Sequence, residues 1–421
     1  MCRFLYSILL CLLMPLVIIR LLVRSIKAPA YRQRISERFA FIPKRETNTP
    51  LLWVHAVSVG ETLAAIPLIK KLKKENNNLE VCLTTTTPTG SDQVKKAFGD
   101  TVLHCYLPYD FACLIKRFVK KIQPNALVIM ETELWPNTLA VCSKTFPVIL
   151  ANGRMSEKSY RGYKALSALT RPMFNQLTLV AAQSNDDGGR FLDLGVPAEK
   201  LTITGSIKYD ISLTQSLLAK TEALRSVLSL SGRRVIIIAS THDGEDEQII
   251  PVLKRLHMRD TRVLGLVVPR HPERFTKVEK ICEQHLLPFQ NVSHSEAVHK
   301  ESVVLIGDTM GDLLAFYGLS DVAFVGGSLI DHGGHNYLEA ALWSLPIITG
   351  FSMFNFQHVA DKLIAAHGLI SVNDSMALER TLVDMLDNPE RAISMGQAAE
   401  SILKMNQGAL GRLSNRISAF L

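Results

Sequence analysis

Short apolar runs rich in β-branched residues alternate with segments of helical pattern, and this alternation restricts the fold more than any other feature of the sequence. Strands of this kind form parallel sheets covered on both faces, because parallel strands are joined by crossover helices. Helical pattern is clear at Thr62–Lys74 and Phe111–Ile122. The predicted strands are Leu51–Ala56, Val81–Thr86, Val102–Leu107, Ala126–Met130, Val148–Ala151, Leu179–Ala182, Val235–Ala239, Val263–Val268, Val303–Ile306, Val322–Val325 and Pro346–Ile348.

The alternation pauses once, at Gly205–Thr214, and restarts after a helical segment at Leu217–Leu230. We therefore predict two doubly wound, Rossmann-like α/β domains that face each other across a cleft. The predicted domains are a membrane anchor at residues 1–25, a first domain at 26–210, a linker at 211–230 and a second domain at 231–421. Ligands of such sheets bind at the carboxyl ends of the strands, so the residues that follow the strands are the candidates for function.

The amino-terminal segment Phe4–Ile19 is uncharged and almost wholly apolar, at the short end of the ~17–25 residues that span a bilayer. A cleaved signal peptide with a site at Ala28–Ala30 and an interfacial helix are alternatives, but an interfacial helix needs a polar face, which this segment lacks. A signal anchor fits best. Basic residues flank its carboxyl side, which predicts that the body of the protein stays in the cytoplasm.

Residues 20–45 hold eight basic residues and one acid, a charge of +7 out of the net +8 of the whole chain. A nucleic-acid groove spread over a domain is therefore disfavoured. The basic segment is either a topology signal only or also a contact for anionic headgroups or a phosphorylated lipid. The seven cysteines are odd in number and form no CxxC pair, which favours a reducing compartment without disulfides or structural zinc.

Carboxylates follow two strands of the first half. Glu61 lies in the first turn of the helix after the first strand, where it is either an ordinary helix-start glutamate or a general base that takes a proton from a hydroxyl. Glu131 and Glu133 follow the fourth strand, and one of them could cap a helix that begins at Pro136. Glu131 is expected near the floor of the cleft, where a cation is needed to offset it, and Lys208 is the candidate.

The loops of the second half are rich in groups that bind anions. Arg270 follows a strand, and its guanidinium suits a phosphate or carboxylate. Glycine-bracketed turns at 307–312, 326–328 and 333–336 could offer free N–H groups to a phosphate, and Glu339 could accept ribose hydroxyls. A nucleotide site is therefore favoured. No GxxxxGK[ST], no GxGxxG after the first strand and no HExxH is present, so a P-loop nucleoside triphosphatase is excluded, and a dinucleotide oxidoreductase and a metal centre are disfavoured.

Taken in order, these motifs resemble those of the 3-deoxy-D-manno-octulosonic acid (Kdo) transferases, family 30 glycosyltransferases with the GT-B fold. The resemblance runs from the anchor to about Phe356. It rests on these segments: Trp53–Glu61, Glu131–Pro136, Asn152–Arg154, Gly205–Lys208, Pro269–Pro272, Gly307–Gly311, Gly326–Ser328 and Gly333–Asn336. The family has proline after the asparagine of the last motif and after its glutamate, where this chain has Tyr337 and Ala340.

The resemblance implies an inverting transfer of Kdo from CMP-Kdo to a hydroxyl of a tetraacylated lipid A precursor, at the cytoplasmic face of the inner membrane, without a cofactor or metal. It implies that Glu61 is the general base and that Glu131 and Lys208 stabilise the transition state. The CMP moiety would be bound by Pro269, Arg270, Met310, Gly311, Asp312, Asn336, Tyr337, Leu338 and Glu339. The alternatives are another membrane-associated GT-B transferase that uses a UDP-sugar, and a non-catalytic nucleotide-binding membrane protein.

Overall fold

Contacts within the chain divide it into two compact units. The computed structural model describes residues 2–294 and 296–421. One unit comprises Met1–Asp210 together with Gln407–Leu421, and the other comprises Ile211–Asn406.

The first unit is built on a seven-stranded sheet in which every neighbouring pair is parallel. Its strand order is β3-β2-β1-β4-β5-β6-β7. The order reverses between β1 and β4, and ligands of doubly wound sheets bind at this switch point. The strands are β1 Leu51–His55, β2 Glu80–Thr85, β3 Leu103–Tyr106, β4 Ala126–Met130, β5 Val148–Gly153, β6 Leu179–Ala182 and β7 Leu201–Ile203.

The helices that precede and connect these strands begin at residues that fit helix starts. Side chains of Ser58, Thr87, Ser156 and Ser184 each accept a hydrogen bond from a backbone N–H in the first turn of the helix that follows. The helices are α1 Cys2–Lys27, α2 Val59–Glu75, α3 Pro88–Phe98, α4 Ala112–Ile122, α5 Pro136–Cys142, α6 Glu157–Ala165, α7 Ser167–Asn175 and α8 Asn185–Asp193.

The second unit repeats the architecture with another all-parallel seven-stranded sheet, in the order β10-β11-β9-β8-β12-β13-β14. Its switch point lies between β8 and β12. The strands are β8 Arg234–Thr241, β9 Val263–Pro269, β10 Phe289–Asn291, β11 Val304–Ile306, β12 Val322–Val325, β13 Ile347–Thr349 and β14 Leu369–Ser371. The helices are α9 Gln215–Leu228, α10 Asp246–Arg259, α11 Phe275–Gln284, α12 Leu313–Tyr317, α13 Leu338–Ala341, α14 Gln357–Ala365, α15 Ser375–Asp387 and α16 Pro389–Asn406.

The last helix, α17 (Ala409–Ser418), belongs to the first unit. Ala409, Leu413 and Ile417 are fully buried in the core of that unit. Asp210 accepts a hydrogen bond from the backbone N–H of Leu410 at 2.6 Å. The second unit therefore ends at Asn406 rather than at the expected residue 421, because the apolar face of α17 is buried in the first unit.

All eleven predicted strands are present within one or two residues of their predicted ends. The strands that the sequence did not predict are β7, β10 and β14. Each is three residues long and mostly only half-buried. An apolar run predicts a buried strand, so short and partly exposed strands leave no such run to recognise.

Candidate active site

Glu61 lies where the sequence placed it, in the first turn of α2 and directly after β1. Ser58 is the N-cap of α2, and its hydroxyl donates to Glu61 Oε1 at 3.1 Å. The backbone N–H of Val57 donates to Glu61 Oε2 at 2.8 Å. These contacts form a variant of the capping box, in which a serine and a glutamate three residues later satisfy the free N–H groups of a helix start. Glu61 therefore has the structural role of a helix-start glutamate, and these contacts also hold its carboxylate in one orientation.

The environment of the Glu61 carboxyl differs from that of an ordinary capping glutamate. The side chain is buried, with 7% of its surface exposed. Burial raises the pKa of Glu61 to about 7, aided by the nearby charges of Glu131 and Glu133 and opposed by the hydrogen bond from Val57. A carboxylate with a pKa near neutral pH can both take and release a proton, which is what a general base requires.

Glu131 follows β4, the neighbour of β1 across the switch point, and its backbone adopts a left-handed conformation. Its φ is +56°, which is unusual for a residue other than glycine and costs of order 1–3 kcal/mol. A hydrogen bond of 2.9 Å from its N–H to the carbonyl of Ala151 helps to hold this conformation. Lys208 Nζ lies 3.5 Å from Glu131 Oε1. The expected pairing of Glu131 with Lys208 is therefore present.

The side chain of Asn152, near the end of β5, contacts the turn that carries Lys208. The sequence analysis did not assign this role to Asn152. It is fully buried, with φ of +53°. Its Oδ1 accepts a hydrogen bond of 3.1 Å from the N–H of Ile207, the residue before Lys208. Asn152 thus fixes the turn that carries the lysine. The Asn152–Arg154 motif was the available signal, but motif position alone does not reveal which backbone atom a side chain contacts.

The helix after Glu131 is capped by a residue from another loop. Helix α5 begins at Pro136, as predicted, but neither Glu131 nor Glu133 caps it. Asp110 accepts hydrogen bonds from the N–H groups of Asn137 at 2.9 Å and Thr138 at 2.7 Å. The expectation of a glutamate cap was therefore wrong, since a carboxylate distant in the sequence occupies this position. Glu131 and Glu133 are left available for the site.

In the second unit, the carboxylate of Glu245 binds the backbone of one of the glycine loops that were expected to bind phosphate. This fully buried carboxylate accepts hydrogen bonds of 2.6–3.0 Å from four backbone N–H groups, those of His242, Gly327, Ser328 and Leu329. A Cβ atom on Gly326 would lie 3.0 Å from Glu245 Oε2, so the glycine admits this carboxylate. The loop at 326–328 does bind an anion, but the anion belongs to the chain, and the expected phosphate role for this loop is wrong.

Pro269 is the last residue of β9, and Arg270, which follows it, is exposed. The N–H of Arg270 donates to the carbonyl of Thr241 at 3.1 Å, which fixes the backbone at this strand end. Asn336 Nδ2 donates to Glu339 Oε1 at 3.1 Å. Burial raises the pKa of Glu339, while Asn336 and the charge of Arg270 lower it. The charge of Arg270 therefore acts on the carboxyl of Glu339, and both residues are among those predicted from the sequence.

Tyr337 and Leu338, also predicted to contact the nucleotide, have fully buried side chains. The Tyr337 hydroxyl accepts a hydrogen bond of 3.3 Å from Thr349 Oγ1 in β13. Neither residue therefore presents a side chain to a ligand, and their predicted contact with the nucleotide stays a prediction. The tyrosine that stands where the family has proline packs inside the unit.

The turn at Met310, Gly311 and Asp312 is exposed at its tip and fixed at its end. Gly311 has φ of +93°, which the absence of a side chain permits. Thr309 Oγ1 donates to Asp312 Oδ2 at 2.7 Å, and Lys220 pairs with the other carboxylate oxygen. The Met310 side chain is 64% exposed. An exposed thioether at the tip of a fixed turn is suited to pack against a flat ring.

Four histidines that the sequence analysis did not single out cluster near Arg270. His242 Nε2 lies 2.8 Å from His335 Nε2, and the ring of His242 also contacts those of His332 and His271. Burial and neighbouring cations lower the pKa of His242 to about 4 and that of His335 to about 3. Both rings are therefore neutral near pH 7, and one donates its proton to the other. Among the described residues, no three His, Cys, Asp or Glu side chains are arranged to hold a metal ion.

Comparisons with known proteins agree with the motifs. The family model of 3-deoxy-D-manno-octulosonic-acid transferase (kdotransferase) matches residues 33–211. The chain is 41% identical to the 3-deoxy-D-manno-octulosonic acid transferase of Haemophilus influenzae, over 100% of this chain and 99% of that protein. It is 34% identical to the enzyme of the same name from Bordetella pertussis, over 88% and 87% of the two chains.

A solved glycosyltransferase from Rickettsia africae has the same fold, with a TM-score of 0.57 at 15% identity over 89% of this chain and 98% of that one. The predicted GT-B class, with two doubly wound units and an amino-terminal apolar helix, is confirmed. The full-length match at 41% identity shows the family as well as the fold. The chain belongs to the 3-deoxy-D-manno-octulosonic acid (Kdo) transferase family and is a glycosyltransferase.

Proposed function

We propose that the protein transfers Kdo from CMP-Kdo to a hydroxyl of a tetraacylated lipid A precursor, in lipopolysaccharide synthesis at the cytoplasmic face of the inner membrane. The observation that carries the proposal is Glu61, a buried carboxylate with a pKa of about 7 at the switch point of the first sheet. Family membership supports the sugar, and the apolar helix α1 supports the membrane.

In the proposed reaction, the Glu61 carboxylate takes the proton of the acceptor hydroxyl as its oxygen attacks the anomeric carbon of Kdo. The bond from that carbon to the phosphate oxygen breaks, CMP leaves, and the configuration inverts. Glu61 then releases its proton to solvent. Positive charge develops on the sugar ring during the transfer, and the carboxylate of Glu131, oriented by Lys208, stabilises it.

The donor is proposed to bind the second unit at Pro269 and Arg270, the turn at Met310, Gly311 and Asp312, and the segment from Asn336 to Glu339. Arg270 supplies positive charge toward the phosphate, where negative charge accumulates as CMP leaves. His242 and His335 beside it are neutral near pH 7, so these two rings supply no positive charge to the phosphate.

The test is transfer from CMP-Kdo to the lipid A precursor by the purified full-length chain, with UDP-sugars as the competing donors. We expect glycosylated lipid with CMP-Kdo and none with UDP-sugars, and thermal protection by CMP but not by UMP or UDP. Transfer from a UDP-sugar would replace the proposed donor. Protection by CMP without transfer would favour the non-catalytic alternative.

Replacing Arg270 is expected to weaken donor binding. A hydrogen bond to a charged group contributes about 1.5–3 kcal/mol, so Arg270→Ala should raise the KM for CMP-Kdo about 10- to 150-fold. Arg270→Lys keeps the charge without the guanidinium fork. Its KM for CMP-Kdo should lie between those of the unsubstituted protein and of Arg270→Ala. Steady-state kinetics measures both. The control is Arg259→Ala, an exposed arginine paired with Asp387 on the same unit, which should leave KM unchanged. An unchanged KM in Arg270→Ala would contradict the assignment.

The rate of transfer should depend on pH through Glu61. Because the base must be ionised and its pKa is about 7, kcat/KM should rise about tenfold per pH unit below pH 7 and level off above it. His242 and His335 titrate near pH 4 and pH 3 and do not contribute to this limb. Initial rates from pH 5.5 to 8.5 measure the profile. A flat profile over this range would be inconsistent with Glu61 as the base.

A further inference from the structure

Helix α1 is attached to the first unit at its amino-terminal end. The Tyr6 hydroxyl donates to Asp110 Oδ2 at 3.0 Å, and Asn137 Nδ2 donates to Ser7 Oγ at 3.0 Å. Asp110 is the residue that caps α5, and Asn137 lies in the first turn of α5. This end of α1 is therefore tied to buried polar groups of the folded body.

The carboxyl-terminal end of α1 packs on the segment that follows it in the chain. Ser25 is 3% exposed, and Arg32 Nη2 donates to its carbonyl at 3.3 Å. The chain then turns back through two short 3-10 helices, and the carbonyl of Arg38 accepts a hydrogen bond of 2.9 Å from the N–H of Tyr109. Tyr109 is the neighbour of Asp110, which holds Tyr6. The amino-terminal end of α1 and the chain that leaves its carboxyl-terminal end are thus joined to neighbouring residues of the unit, Asp110 and Tyr109.

These attachments are incompatible with a helix that crosses the bilayer. Tyr6 and Ser25 are about 28 Å apart along the helix axis, close to the ~30 Å thickness of the hydrocarbon core. A crossing helix would place Tyr6 at the far side of the membrane and would draw Asp110 and the start of α5 into the lipid with it. Lipid offers no partners for polar groups at a helix start, so this arrangement is strongly unfavourable.

The two faces of α1 differ in what they contact. Half-buried or buried positions recur along one face, at Cys2, Tyr6, Ser7, Leu10, Met14, Leu21 and Ser25. The opposite face is apolar and open, with Phe4, Leu12 and Leu16 between 62% and 71% exposed and Ile26 74% exposed. An interfacial helix needs one face that is not in contact with the acyl chains, usually a polar face, and the sequence of α1 has no polar face. In the structure the protein body covers that face instead, which leaves one apolar face for lipid.

Basic side chains lie near both ends of α1. A cavity beside Arg3 is lined by the exposed cations Lys116, Lys120 and Lys144, and the other end of the helix carries Arg20 and Arg24. Basic groups at both ends suit the anionic headgroups of a single leaflet.

An apolar cavity of about 440 Å³ lies beside Tyr6, between α1 and the helices α5 to α7. Trp135, Tyr163 and Leu166 are among its lining residues, and Leu166 is 62% exposed. The apolar surface therefore continues from α1 onto the body.

We propose that α1 lies in the plane of one leaflet of an anionic membrane, with both of its ends on the side of the catalytic body, and does not span the bilayer. The occupant of the open apolar face is the acyl region of that leaflet, about 5–10 Å below the headgroups. This inference rests on the proposed membrane location, and it replaces a crossing anchor by an embedded one.

The test uses single-cysteine reporters of depth. In a Cys2→Ser, Cys11→Ser, Cys113→Ser background, Phe4→Cys, Leu12→Cys and Val23→Cys are each labelled with an environment-sensitive fluorophore. Each full-length protein is bound to phosphatidylcholine–phosphatidylglycerol vesicles that contain lipids quenching at known depths. An in-plane helix predicts the same shallow quenching depth for all three positions. A crossing helix predicts a deep position for Leu12, with Phe4 and Val23 near opposite surfaces.

A second measurement uses the native Cys2, with Cys11 and Cys113 replaced by serine. A membrane-impermeant maleimide added to spheroplasts should leave Cys2 unlabelled, and added to inverted vesicles it should label Cys2. Labelling from the periplasmic side, or a deep Leu12, would overturn the inference. Kdo transfer is assayed on the same preparations: a crossing helix with transfer overturns the inference alone, and an in-plane helix without transfer overturns the proposed function alone.

Discussion

Glu61→Gln is expected to lower kcat by about two to four orders of magnitude, the contribution typical of a general base. Glutamine keeps the size of the side chain and can still accept the hydrogen bond from Val57, but it cannot take a proton from the acceptor. The pH-dependent limb described above should vanish with it. CMP should still protect the variant against unfolding, because the proposed donor residues lie in the other unit. Transfer assays and thermal unfolding of the same samples measure both effects.

The control for this substitution is Ser58→Ala, which removes the N-cap of α2 and leaves the Glu61 carboxylate held by the N–H of Val57. We expect a loss of about 1 kcal/mol of stability and retention of most of the transfer activity. If Glu61 served only the capping box, both variants would lose similar stability and neither would lose much activity. Full activity in Glu61→Gln would leave the family assignment intact and refute the proposed base.

Glu245→Ala is expected to destabilise the second unit by more than about 4 kcal/mol. It leaves four backbone N–H groups at the end of β8 and β12 without their acceptor, and each buried unpaired group costs about 1–3 kcal/mol. Relaxation of the loop and the removal of a buried charge offset part of the sum. A single substitution of this size is rare and is diagnostic of a broken buried network.

Trp343 permits a measurement on the second unit alone, because the other two tryptophans, Trp53 and Trp135, lie in the first unit. In a Trp53→Phe, Trp135→Phe background, urea unfolding followed by fluorescence should show a much lower midpoint for Glu245→Ala. The matched control is Glu247→Ala, two residues away in the first turn of α10, whose half-exposed carboxylate pairs with Lys277. Its midpoint should change by less than the equivalent of about 1 kcal/mol. Equal midpoints for the two variants would contradict the structural role of Glu245.

The parts of the fold that sequence predicted well are those in which one segment's pattern is sufficient. Buried strands such as β4 and β6 are continuous apolar runs, so their ends were predicted to the residue. The start of α5 at Pro136 follows from proline's preference for the first helical position. The pairing of Glu131 with Lys208 is an exception, since it joins segments 77 residues apart and was inferred from position and from the need to offset a carboxylate near a sheet.

The parts that sequence did not predict depend on contacts between distant segments. Asp110 caps a helix that begins 26 residues later, and Glu245 binds a loop 82 residues away. Nothing in the local pattern marks either acid, because any carboxylate of suitable reach can serve. The capture of the 326–328 loop by Glu245 also shows why a glycine-rich turn alone is weak evidence for a phosphate site.

The placement of α17 has a consequence for how the protein is made. Domains generally fold as they leave the ribosome, amino-terminal units first. Here the first unit lacks Ala409, Leu413 and Ile417 from its core until the end of the chain has been synthesised. The unit that begins first is therefore completed last, after the whole of the second unit has emerged. From the synthesis of Asp210 until that of α17, about half of the chain, we expect the first unit to expose the apolar surface that α17 covers, while α1 is available to the membrane.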